Sequence, residues 1–75
     1  MLEKAAILEQ LARVEGHVSL AVRHIREQEN RITQGDRRGW DTAVSRNLLE
    51  TFRDTLRLHI EDRDRLRQQL AALTA

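Results

Sequence analysis

The amino-acid sequence predicts an all-α protein, an antiparallel two-helix hairpin that dimerises into a four-helix bundle. Three observations predict it. Two long stretches repeat apolar residues at alternating steps of three and four, the period of a helix face. One short polar stretch containing two glycines separates them. The 75 residues include no proline, no cysteine and only three glycines, which excludes a turn-rich β fold and a disulfide-stapled scaffold.

The first helix is expected over about residues 2–34. Ile7, Leu11, Val14, Val18, Ala21, Ile25, Gln28 and Ile32 form its seam, with Gln28 the single polar member. Leu8 and Val22 widen the apolar stripe on one flank, as a bundle helix requires. Gly16 stands inside this helix, where it costs ~1 kcal/mol relative to alanine. It forms a small-xxx-small pair with Ala12 and suggests close backbone approach or a bend.

The turn is expected over about residues 35–40. Gly35 can end a helix in the left-handed conformation, and Gly39 permits a second reversal. Asp41 or Thr42 offers a side-chain oxygen to cap the second helix.

The second helix is expected over about residues 41–74. Its seam runs Leu49, Phe52, Leu56, His59, Arg63, Leu66, Leu70 and Leu73, flanked by Val44, Leu48 and Ile60. His59 and Arg63 are polar entries one turn apart. Folding about the turn places residues 11–15 opposite 59–63, so Glu15 is the expected partner of Arg63. Two helices of about 50 Å with a short connection favour an antiparallel hairpin. The core candidates for hairpin or dimer are Leu11, Val18 and Ile25 with Leu49, Phe52, Leu56 and Leu66. Two such helices cover one another only in part, and a two-fold homodimer doubles the core without lengthening the chain.

Thirteen basic residues face twelve acidic ones, for a net charge of +1. Neither half forms a basic arm or an acidic tail. Arg31, Arg37 and Arg38 outnumber Asp36 around the turn, the one local excess. Only Trp40 and Phe52 are aromatic, too few to stack on a row of bases. No long apolar run exists, so no membrane span is expected, and the opening residues carry no signal-peptide core.

The chain offers little to chemistry. His17 and His24 lie seven apart, about 10 Å along a helix, too far to share one ion. His24 has suitable spacing with Glu27 or Gln28, and His17 can approach His59 across the hairpin, but no complete ligand set emerges. No metal or cofactor is therefore expected. There is no phosphate-binding glycine loop and no Gly-x-Ser-x-Gly. The carboxylates Glu61, Asp62 and Asp64 alternate with Arg63, Arg65 and Arg67, which describes a salt-laced helix face. Enzymatic activity is not expected.

The segment from His17 to Leu66 carries a recurring set of residues. These are His17-Val18, His24-Ile25, Gln28 and Ile32, then Gly39 with Asp41-Thr42. The set continues with Leu48-Leu49, Phe52, Leu56, His59 and the stretch from Asp62 to Leu66. In that order and spacing it resembles a family of short, uncharacterised helical-hairpin proteins of proteobacteria, over about two thirds of the chain. The position of Trp40 is often a histidine in that family, so this sequence departs there. The resemblance implies a bacterial cytoplasmic helical protein with no established activity. It marks His17, His24, Gln28, His59 and Arg63 as candidates for a polar seam or interaction surface.

The expected role is a homodimeric protein-interaction or regulatory module that binds itself and a further, unidentified protein. The alternative is an RNA- or DNA-binding four-helix-bundle dimer using Arg23, Arg26, Arg31, Arg37 and Arg38. Near-neutral charge and the acids Glu27, Glu29 and Asp36 among those arginines weigh against it.

Overall fold

A computed structural model describes the backbone of residues 2–75 and the side chains from Glu3 onward. Helix α1 spans Leu2–Arg37 and helix α2 spans Ala43–Thr74. They pack along their lengths as a hairpin measuring 57 × 15 × 14 Å. Among the described residues there is no strand, and no helix is long and apolar enough to cross a membrane.

The seam forms as the spacing predicts. Ala21, Gln28 and Ile32 on α1 and Leu49 and Leu66 on α2 are buried. Ile7, Leu11, Val14, Val18, Ile25, Phe52, Leu56, His59, Arg63 and Leu70 are half-buried, and Leu73 is exposed. No described side chain is completely enclosed. A two-helix layer has one internal seam, and each seam residue keeps an edge open to solvent.

The turn differs from expectation. Helix α1 does not stop at Gly35 but continues to Arg37, and Gly39 alone takes the left-handed conformation, with φ +72°. The Gly39 N–H donates to Asp36 O at 3.1 Å and the Trp40 N–H to Gly35 O at 2.9 Å. Those two bonds are the paired closure of a Schellman motif, which satisfies the last carbonyls of the helix. Gly35 serves a steric purpose instead. A Cβ there would lie 2.8 Å from Thr42 Cγ2, so the loop can fold back only over a glycine.

The start of α2 also moves, from the expected residue 41 to Ala43. Thr42 stands at the N-cap without a side-chain cap bond. Asp41, one residue earlier, satisfies the first helical N–H instead, its Oδ1 accepting from Ala43 at 3.0 Å. Thr42 turns away from the helix and donates its hydroxyl to Asp36 Oδ1 at 2.8 Å. Arg46 then bridges to Asp36 Oδ2 at 2.5 Å and to Thr42 Oγ1 at 3.1 Å. The loop is thereby fastened across both helices.

Candidate interaction surface

The two flanks of the seam have different chemistry. On one flank every ion pair between the helices is found, among the described residues. Asp36 meets Arg46, Glu29 meets Arg53 at 4.0 Å and Glu15 meets Arg67 at 3.7 Å. The acids at 15, 29 and 36 all belong to α1, and the arginines at 46, 53 and 67 all belong to α2. Their spacings, fourteen and seven against seven and fourteen, mirror one another as antiparallel heptads require. The missing rung is filled by Val22 and Ile60, both half-buried. Each exposed pair stabilises by about 0–1 kcal/mol. Their shared polarity matters more, because a one-heptad slip would leave Asp36 and Arg46 without each other.

This ladder corrects the expected pairing of Glu15 with Arg63. Glu15 reaches Arg67, and Arg63 binds its neighbour Asp64 at 3.0 Å. Arg63 occupies the seam itself rather than its flank. Its side chain lies along the apolar surface, 25% exposed, and carries its charged head sideways to solvent and to Asp64.

The opposite flank carries no inter-helix ion pair among the described residues. Its α1 side presents His17 and His24, both exposed. The ring of His17 packs against that of His59, with centroids 5.1 Å apart and planes tilted by 49°. The ring of His24 packs against Phe52 at 5.8 Å. A shallow depression of about 200 Å³ lies here, lined by His17, Leu20, Ala21, His24, Thr55 and His59. Among the described residues no three histidines or carboxylates converge to hold a metal ion. Near the helix ends a second depression, about 430 Å³, is lined by residues that include Ile7, Gln69, Ala72 and Leu73.

Gln28 is the most buried polar residue, at 2% exposure. Its Nε2 donates to the Ser45 carbonyl at 2.9 Å, while its Oε1 has no hydrogen-bond partner. It ties the last turns of α1 to the first turn of α2.

The structure therefore divides the five polar candidates. Gln28, His59 and Arg63 belong to the seam, and His17 and His24 to the open flank. Sequence reasoning passed over Leu20 and Leu58, which are exposed at 46% and 62%. Neither follows the seam period, and that mismatch was the available signal. It also passed over the ion-pair ladder, whose signal was the mirrored spacing of acids and arginines.

Comparison with family models, with curated proteins and with solved structures finds no match for this chain.

Proposed function

We propose that this chain is a non-enzymatic homodimeric helical module that acts by binding protein through its helix faces. The observation that carries the reading is the contrast between the flanks. One is closed by three ion pairs and an apolar rung. The other leaves more apolar surface in water: Leu20 on α1 and Val44, Leu48 and Leu58 on α2 are all exposed, Val44 at 82%. The ladder flank, by contrast, exposes Leu8, and Leu73 at the end of the seam is open as well. A patch of that kind marks an association surface on a small soluble domain. The thin hairpin core supports the same reading, since among the described residues no side chain is completely enclosed within one chain.

The test is native mass by size-exclusion with light scattering, with the ratio of absorbance at 260 and 280 nm recorded on protein taken from cells. The expected result is twice the 8.8 kDa chain mass and a protein-like ratio. A nucleic-acid-like ratio, with binding that weakens steeply as salt rises, would instead establish the arginine-based alternative. A monomer at micromolar concentration would overturn the homodimer.

A further inference from the structure

One exposed stripe of α1 has a sequence that is complementary to itself when reversed. Glu9, Arg13, Gly16, Leu20, His24, Glu27 and Arg31 follow one another at steps of three and four, so they share a face. All seven are exposed. Laid antiparallel on its own copy with Leu20 at the centre, this stripe sets Glu9 against Arg31 of the partner subunit. It sets Arg13 against Glu27 of the partner subunit and Gly16 against His24 of the partner subunit. A shift of one turn either way sets Arg13 against Arg31 of the partner subunit, or Glu9 against Glu27 of the partner subunit. A parallel arrangement sets every charge against its like. Only one register satisfies all four charges.

We infer that a second copy of this chain packs antiparallel on this stripe, on a two-fold axis through Leu20, with Glu9–Arg31 and Arg13–Glu27 as the charge pairs that set its register. The inference rests on the homodimer reading and specifies its geometry. Four further observations agree with it. None of these four charged residues forms an ion pair within the chain, among the described residues, whereas Glu15, Glu29 and Asp36 on the other flank all do. A Cβ at Gly16 would meet nothing within 4 Å, so nothing inside the hairpin accounts for a glycine there. A partner's His24 seated over it would.

Three of the four exposed large apolar residues of α2 have matching symmetry, Leu48 being the one without an apolar counterpart. Val44 and Leu73 lie almost equally far along the chain on either side of Leu58. Leu20 lines the same depression as Thr55 and His59, so Leu20 and Leu58 stand at one level of the hairpin. A single axis at that level therefore brings Leu58 beside its copy and Val44 beside Leu73 of the partner subunit. Finally, a face of 57 by 15 Å provides on the order of 800 Å² per partner, the size of a standard stable interface.

The charged residues also lie four apart on their own helix, where they suit each other as neighbours. The test separates that local role from the proposed one. The double change Glu9→Arg with Arg13→Glu keeps an opposite-charge pair within the helix but puts like charges across the interface. So does Glu27→Arg with Arg31→Glu. Each double variant alone should dimerise at least tenfold more weakly than the wild type by analytical ultracentrifugation, since two attractive pairs per axis side become repulsive. Mixed together, the two should form a heterodimer, because every pair is then restored. Independently, Leu20→Cys should give a disulfide-linked dimer on mild oxidation, while Arg57→Cys, on another face, should not.

A wild-type dimer whose affinity ignores both double changes, or in which the two cysteine variants crosslink alike, would overturn this arrangement and leave the homodimer standing. A wild-type monomer would overturn both. Circular dichroism of each variant, alone and mixed, establishes that loss of dimer is not loss of helix.

Discussion

A methyl group at position 35 would press on Thr42 Cγ2 at 2.8 Å, and Thr42 has little room to yield because its hydroxyl is held by Asp36 and Arg46. Alanine is the better helix former by ~1 kcal/mol, so propensity alone would favour Gly35→Ala. Crowding of a short, tethered side chain costs about 1–3 kcal/mol and outweighs it. Gly35→Ala should therefore destabilise the protein by about 1 kcal/mol in urea titration. Adding Thr42→Ser removes the offending methyl while keeping the hydroxyl, and should recover most of the loss. If Gly35→Ala is neutral or stabilising on its own, the loop does not fold tightly over α1. Gly39 needs its glycine for the other reason, a left-handed backbone. The two glycines were both visible in the sequence, but their roles were not. Which glycine reverses the chain depends on where Thr42 and Trp40 fold back, and that is a tertiary relation several residues away.

At the scale of the helices, the ladder and Gln28 both argue about register. The ladder contributes specificity through polarity: all acids on α1, all arginines on α2. Replacing Glu15→Arg and Glu29→Arg together should lower stability by about 1 kcal/mol at low ionic strength and by less in high salt. Adding Arg53→Glu and Arg67→Glu should restore it. Arg53 also pairs with Glu50 at 2.8 Å, so the clean readout is Glu15→Arg with Arg67→Glu. Failure of that pair of changes to recover would mean that Glu15 and Arg67 do not face one another.

Gln28 works in the opposite sense. Its burial leaves Oε1 unsatisfied, which costs more than its one bond to Ser45 returns. Gln28→Leu should raise the urea midpoint by the equivalent of about 1 kcal/mol, with looser alignment of the helices seen as broadened amide resonances. A lowered midpoint with leucine would show that the bond to Ser45 is a net stabiliser. The seam that holds both features was legible from heptad spacing, because apolar burial follows the helical period alone. The pairing of Glu15 was not. Glu15 lies on the flank of α1 and Arg63 in the seam of α2, so levels matched along the hairpin but faces did not, and the flank arginine within reach is Arg67.

At the scale of the whole molecule, the axis inferred through Leu20 and Leu58 has a consequence that no single contact carries. The loop lies at one end of a rod 57 Å long, and Leu20 stands near the middle of α1. A two-fold axis perpendicular to the rod must then send the two loops to opposite ends. From Leu20 to the loop is about 18 residues of helix, or roughly 27 Å, so the two loops should stand on the order of 50 Å apart. A dimer with its hairpins side by side and parallel would bring them together instead. Trp40 marks the loop tip and is 61% exposed, with the Arg38 guanidinium over its ring. A spin label introduced by Trp40→Cys leaves the seam and both flanks untouched, and the chain has no other cysteine to interfere. Pulsed dipolar spectroscopy on this variant should give one distance near roughly 50 Å, whereas a label at Leu20→Cys should give one below about 20 Å. A short distance at the loop would reject the antiparallel axis whatever the affinity of the dimer, because no side-chain rearrangement moves the end of a continuous helix across half its length.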